Sequence, residues 1–296
     1  MRAAAILGLG CSPKHLAPFQ SNRAIEWRMG LPGDSGEADV ILVFGGDGTI
    51  HQHLGQLVKL KLPVLVVPAG SGNDFATSLG LARVRDSLQA WHAFTLNPNN
   101  IREIDLGVIT SLGEQTPQRK AQSATYFCCV AGIGIDGEVA RRANQLPRWL
   151  RGNGGYVLSM IPAIFSFSPF SMRVSTSEAK DRWEVLSDQP TLVAAFANTP
   201  LYGGGMRVAP RAKMDDGQLD ICIVGGVHPF RLLYLFPTVF GGRHLRVKEV
   251  SYFNASNVRA ETEHPLDVYA DGEYVCKTPV EVSIEHSALK VVMPAN

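Results

Sequence analysis

An α/β domain followed by a mainly antiparallel β-sandwich domain is the architecture the sequence predicts, on three observations. Up to about residue 104, short β-branched runs alternate with helical patterns, as parallel βαβ units do. Beyond that point strand-like runs crowd together among turn residues such as Asp216-Gly217 and Asp271-Gly272. The length of 296 residues reaches the size at which single cores stop growing.

Composition narrows the class. Apolar residues make up 45% and charged residues 19%, which excludes disorder. The net charge of +1, from 28 basic and 27 acidic residues, gives the chain no general pull towards nucleic acid, and no nucleic-acid partner is expected. The five cysteines are odd in number and lack zinc spacing, so they read as buried thiols of a reduced, cytoplasmic protein. No run of about 18–20 apolar residues would span a membrane. The two nearest candidates, residues 156–170 and 230–242, contain proline and read as buried helices, with a lipid-touching surface as the alternative.

Taken in order, residues 3–9 form the first strand rather than a signal peptide, because the apolar run reaches Gly8 too soon. A second strand, 40–44, runs directly into Gly45-Gly46-Asp47-Gly48-Thr49. Glycines there allow close approach and positive φ, and the N–H groups of the loop and the following helix suit an anion. Asp47 suits magnesium or its water shell. No lysine follows, so this is not the GxxxxGK[ST] loop. A third strand, 64–67, runs into Pro68-Ala69-Gly70-Ser71-Gly72-Asn73-Asp74. Neighbouring strands ending in such loops would bring Asp47 and Asp74 into one crevice suited to a magnesium-bound nucleoside triphosphate. A plain tight turn is the competing reading of either loop alone.

Strands are expected at 126–131, 172–175, 191–197, 219–224, 266–269 and 280–284, with a polar hairpin loop at 113–123. Gly132-Ile133-Gly134-Ile135-Asp136-Gly137 matches GxGxxG, but no acidic residue follows at the dinucleotide-binding distance, so a close-packed turn is the better reading. The run from Lys213 to Asp220 is a turn rich in oxygen ligands. Asp271-Gly272-Glu273 is a hairpin turn that also offers a carboxylate for a hydroxyl proton. His51 and His53 diverge on a helix and share no metal.

The ordered set FGGDGT, PAGSGNDFA, AGIGIDGEVA, NTPLYGGGMRVAP, DDGQLD and DGE resembles the diacylglycerol kinase catalytic-domain family, from about residue 39 to the C-terminus. The resemblance implies an ATP- and Mg²⁺-dependent lipid kinase. Its first domain (1–104, plus a returning segment 285–296) would resemble NAD kinase and phosphofructokinase, and its β-rich domain (105–284) would shape the lipid site. It implies that Gly45, Gly46, Asp47, Gly48 and Thr49 hold the ATP phosphates, with Gly70, Ser71, Gly72, Asn73 and Asp74 at the second nucleotide loop. Asp47, Asp74 and Asp105 (in IDLG) would form a carboxylate–water–Mg²⁺ network. A structural magnesium would fall on Asp216 with the carbonyls of Lys213 and Gln218. Asp271 is the expected general base, with Glu273 its close partner or rival.

The chain departs from the family pattern in several places. Gly10-Cys11-Ser12-Pro13-Lys14 replaces an Asn-Pro-x-Ser/Ala-Gly opening, and only 44 residues precede GGDGT, so one βα unit looks trimmed. His51-Gln52, Thr77 and Cys129 stand where Asn-Glu, arginine and asparagine are usual. The expected reaction is transfer of the γ-phosphoryl group to a lipid hydroxyl, diacylglycerol by default, at a membrane surface. The protein would be cytoplasmic and peripheral at the inner membrane face, and a homodimer stays open. The alternatives are an NAD kinase-like enzyme with a soluble acceptor and an inactive nucleotide- or lipid-binding relative.

Overall fold

The apolar runs of the N-terminal third become parallel strands. A computed structural model describes residues 1–113, 124–145, 153–179 and 182–295. The chain divides into two units, Met1–Asp105 with His286–Asn296, and Leu106–Glu285. Most of the stretch read as a polar hairpin loop at 113–123 lies outside the described residues.

The first unit contains β1 (Arg2–Leu7), α1 (Pro13–Leu16), β2 (Glu26–Met29), β3 (Val40–Gly45), α2 (Asp47–Leu60), β4 (Val64–Pro68), α3 (Asp74–Ser78) and α4 (Val84–Leu96). Strands β2, β1, β3 and β4 pair in that order, all parallel. Every residue of β3 and β4 is buried. Helices cover both faces of such a sheet, so its strands read as continuous apolar runs rather than alternating ones. Only a four-residue helix, a 3₁₀ turn and the edge strand β2 lie between β1 and β3.

Helix α2 lays Ile50, Leu54, Leu57 and Leu60 on the core, a spacing that keeps one face apolar. Each such side chain contributes roughly 1.5–3 kcal/mol by burial. The helix stops at Lys61, which is left-handed at φ 54° and donates its N–H to the Leu57 carbonyl. Helix α4 is pinned by Ser87 Oγ donating to the Val66 carbonyl (2.8 Å) and by Trp91 Nε1 donating to the Phe19 carbonyl (2.9 Å).

The second unit is built from the later part of β5 (Ile101–Ser111), then β6 (Thr125–Phe127), β7 (Val130–Gly134), α5 (Ile135–Gln145), α6 (Asn153–Ser166), β8 (Phe170–Ala179), β9 (Arg182–Ala197), β10 (Leu219–Gly225), α7 (Pro229–Leu235), β11 (Val250–Ala255), β12 (Asn257–Thr262), β13 (Asp267–Ala270), β14 (Glu273–Lys277) and the start of β15 (Val280–Val292). Its described strand pairings are antiparallel. The later half of β9 lies between β7 and β10, and its earlier half pairs with β8. Inward side chains including Phe127, Phe196, Ile221, Val258 and Val282 form one apolar cluster, as in a β-sandwich. The chain leaves the first unit within β5 and returns within β15, whose Val291 pairs in parallel with Val64.

The GxGxxG segment is strand β7 running into α5. A Cβ on Gly134, at φ 105°, would lie 2.4 Å from the Leu192 carbonyl oxygen. Backbone packing explains that glycine, as the turn reading expects. The two apolar segments differ from the buried-helix expectation. Helix α6 buries Ala163 and Ile164 but exposes Leu158, Ile161 and Phe165. Helix α7 has no buried residue and exposes Phe230 and Tyr234. Both helices are apolar around much of their circumference, so one side remains uncovered.

Candidate active site

The two glycine loops follow the carboxyl ends of adjacent parallel strands, where open α/β sheets place their ligands. The pairing of β3 with β4 continues through Ala69 N donating to the Gly45 carbonyl (3.0 Å), and Asp47 N then donates to the Gly72 carbonyl (3.1 Å). The loops meet backbone against backbone. A Cβ on Gly46 would lie 2.4 Å from the Gly72 carbonyl oxygen, and one on Gly70 would lie 2.4 Å from the Gly46 Cα. None of the glycines in these loops has a positive φ, contrary to the expectation from sequence. Gly46 and Gly70 are needed because each loop occupies the space a side chain of the other would fill.

Asp47 locks this arrangement. Its Oδ2 accepts from Asp74 N (3.0 Å) and its Oδ1 from Phe75 N (3.1 Å), so one carboxylate satisfies the first amides of α3. Asn73 closes the second loop on itself: Gly70 N donates to its Oδ1 (3.1 Å) and its Nδ2 donates to the Gly70 carbonyl (2.9 Å). Ser71 and Gly72 are carried between them. Thr49 fits into room left by Gly8 and Gly45, with Oγ1 2.5 Å from a Cβ built on either. Gly48 and Thr49 open the first turn of α2, whose axial dipole favours an anion.

Asp74 and Asp105 are both buried. Asp105 Oδ1 accepts from Ser287 N (2.8 Å) on the returning strand, with His286 Nδ1 at 3.8 Å. The carboxylates of Asp47, Asp74 and Asp105 do not converge as direct ligands. Among the described residues, the one group of three potential ligand atoms within 4.8 Å of one another is Cys128, Cys129 and Asp271. Three acidic side chains at greater spacing still fit magnesium, which keeps several waters and is commonly held through them.

In the second unit, Asp271 occupies the first position of the β13–β14 turn at φ 51°, followed by Gly272 at φ 86°. Two positive φ values in a two-residue loop are what an Asp-Gly hairpin supplies. The carboxylate is cradled by consecutive main-chain amides. Oδ2 accepts from Cys128 N (2.9 Å), and Oδ1 accepts from Cys129 N (2.8 Å) and Val130 N (3.3 Å). Its own N–H donates to the Val130 carbonyl (3.1 Å). Asn198, from the NTP motif, fixes this cradle through Nδ2 donating to the Cys128 carbonyl (3.1 Å) and N–H donating to the Cys129 carbonyl (2.8 Å). Sequence reasoning missed the cradle because its donors are backbone groups. The signal available was the NTP motif, whose buried Asn198 needs a partner. Glu273, half-buried, starts β14 and pairs in register with Ala270.

Lys213, Asp216 and Gln218 share the turn before β10, where Asp216 Oδ1 accepts from Gln218 N (3.2 Å). Burial raises the pKa of nearby Asp220, to whose Oδ1 the Tyr252 hydroxyl donates (2.6 Å), and the negative charge of Asp216 adds to the rise. A cation at this turn would relieve that repulsion, so the donor set fits a magnesium ion.

The second unit also holds an apolar cavity of about 130 Å³. Met160 and Ile164 of α6, Leu232 of α7, Val193 of β9 and Val224 of β10 are among its walls.

Two family models match the chain. Residues 29–109 match the diacylglycerol kinase catalytic domain, and residues 129–293 match the YegS C-terminal NAD kinase beta sandwich-like domain. A diacylglycerol kinase of Mycobacterium tuberculosis (strain ATCC 25618 / H37Rv) is 33% identical over 260 residues, spanning 86% of this chain and 77% of that one. A diacylglycerol kinase of Bacillus subtilis (strain 168) is 27% identical over 260 residues, 87% of this chain and 78% of that one. Among solved structures, a diacylglycerol kinase from Bacillus anthracis str. Sterne superposes with a TM-score of 0.67 at 17% identity, covering 99% of this chain and 96% of that one. An NAD kinase from Archaeoglobus fulgidus in complex with ATP superposes with a TM-score of 0.52 at 16% identity, covering 100% and 94%.

Proposed function

Because the chain belongs to the diacylglycerol kinase catalytic-domain family, we propose that it is a lipid kinase that uses ATP and Mg²⁺ to phosphorylate a lipid hydroxyl, with diacylglycerol the default acceptor. The observation that carries this reading is the interlock of the two glycine loops through Asp47. It fixes a row of main-chain amides at the carboxyl end of a parallel sheet before any ligand arrives, which is what positioning a polyphosphate requires.

On this reading Gly45 to Thr49 and Gly70 to Asp74 orient the triphosphate, and Asp47, Asp74 and Asp105 hold the hydrated metal. Magnesium, when bound, would neutralise charge developing on the transferred phosphoryl group. Asp271 is assigned the acceptor hydroxyl, taking or orienting its proton, with Glu273 beside it in the chain. Asp216 and the carbonyls of Lys213 and Gln218 would hold a second, structural magnesium. The apolar cavity of the second unit supports a hydrocarbon acceptor over a soluble one.

A membrane surface is the proposed place of work. Among the described residues, no helix is long and apolar enough to cross a membrane. Leu158, Ile161, Phe165, Phe230 and Tyr234 are nevertheless exposed on α6 and α7, and the Phe165 and Phe230 rings meet edge-on at 5.4 Å. An apolar face on helices that also wall the cavity suits a peripheral enzyme that draws its acceptor from lipid.

The test uses purified protein, γ-labelled ATP with Mg²⁺ and a panel of lipids in mixed micelles, resolved by thin-layer chromatography. Wild type is expected to label a lipid and Asp47→Ala to fall to background. No labelled lipid from wild type, with ATP binding intact, would overturn the reading in favour of a binding protein.

A further inference from the structure

Among the described residues, the wall of the apolar cavity carries one buried side-chain polar atom with nothing to bind. His244 is 7% exposed and lines the cavity. Its Nε2 lies 3.0 Å from the Val208 carbonyl oxygen. A carbonyl only accepts, so the Nε2 position carries the proton. Burial holds the imidazole pKa below its ordinary 6.5, so the ring is neutral at neutral pH and has only that one N–H. Its Nδ1 is therefore a bare acceptor, and among the described residues it is buried without a hydrogen-bond partner. No other buried, unpartnered side-chain nitrogen or oxygen of the described residues lines this cavity. Three further ionisable side chains line the wall, Tyr202, Cys222 and Glu249, and the last is taken by Arg231 (Nη2–Oε1 2.9 Å).

The position is built rather than incidental. Gly242, left-handed at φ 65°, opens the 3₁₀ turn Arg243–Arg246 that carries His244. A Cβ there would approach Pro210 at 3.1 Å. The turn thus tucks the histidine beneath the chain between Val208 and Pro210, while its neighbours Arg243 and Arg246 are exposed. A buried acceptor left unmatched is costly, and a ligand that matches it gains selectivity over one that does not.

We propose that the cavity seats an aliphatic lipid chain carrying a hydrogen-bond donor, a hydroxyl or an amide N–H, and that His244 Nδ1 accepts from that donor and so sets acceptor specificity. Ester-linked chains offer only acceptors there and would leave Nδ1 unmatched. The role assigned to the ligand rests on the lipid-kinase reading, but its binding is measured without turnover.

N-hexylacetamide and hexyl acetate differ at the one group that matters, an N–H in place of an ester oxygen. Titration of the full chain, selectively ¹⁵N-labelled at histidine, reads both affinity and the state of Nδ1. Wild type should bind the amide roughly five- to tenfold more tightly than the ester, with the His244 Nδ1 resonance moving for the amide alone, as one buried hydrogen bond of about 1 kcal/mol or more implies. His244→Phe, which keeps an aromatic ring but no acceptor, should bind the two equally. Equal affinities in wild type, an unmoved Nδ1 resonance, or no binding of either probe would each overturn the proposal, and none of these needs the variant to fold. Lipid phosphorylation that continues alongside such a result would leave the kinase reading standing. Selective amide binding without phosphorylation of any lipid would sink the kinase reading and leave the cavity's specificity intact.

Discussion

Asp271, proposed to meet the acceptor hydroxyl, also holds the fold. Its two oxygens accept from three successive amides, so replacing it with asparagine sets an NH₂ group against a backbone N–H. Asp271→Asn should therefore cost the second unit on the order of 1–3 kcal/mol, seen in denaturant unfolding, in addition to losing lipid phosphorylation. ATP binding, assigned to the first unit, should persist. Full activity in that variant would remove Asp271 from the mechanism. His244 gives a pH prediction of definite sign. Its folded pKa is depressed by burial, so its contribution to stability is complete above 6.5 and is lost as pH falls below that value towards the folded one. Unfolding free energy should drop more steeply between pH 7 and pH 5.5 for wild type than for His244→Phe. Parallel curves would show that the imidazole is not held neutral in the fold.

At the scale of elements, legibility in the sequence followed burial. Strands β3 and β4 are covered on both faces, so VILVF and VLVV read as unbroken apolar runs ending in glycine loops. Edge strand β2 was illegible because Glu26, Arg28 and Met29 are exposed and only Trp27 turns partly inward. The first half of β9 was missed for a similar reason: residues 182–190 are partly or fully exposed, and only the buried run near its end reads as strand. The glycine loops were recognisable, but their reason was not. Backbone contact between Gly46 and Gly70 joins segments that no local pattern links. Likewise, the Asp271 cradle and the Asp105–Ser287 bond are made by main-chain donors far away in sequence, which leave no mark on residue type. Helices α6 and α7 lead to a prediction of their own. Phe230→Ser with Tyr234→Ser, both at exposed positions, should weaken co-flotation with phospholipid vesicles while leaving the thermal midpoint nearly unchanged. Unaltered flotation would show that this face does not meet lipid.

At the scale of the molecule, the chain builds one unit, leaves it within β5, completes the sandwich and comes back within β15. Each unit carries half of the proposed chemistry. The first presents the proposed polyphosphate site, made almost wholly of backbone amides and carboxylates, and the second presents a carboxylate in an amide cradle and an apolar cavity whose wall, among the described residues, holds one unpartnered buried acceptor. The similarity in fold to an ATP-bound NAD kinase leaves the acceptor as the central question. The most direct measurement gives both acceptors to the enzyme at once. Purified protein is incubated with γ-labelled ATP and Mg²⁺ in the presence of dissolved NAD and mixed micelles carrying both diacylglycerol and an amide-linked lipid alcohol, and the label is partitioned between organic and aqueous phases. The account predicts label in the lipid fraction alone. Label on NAD, or on neither acceptor, would contradict it.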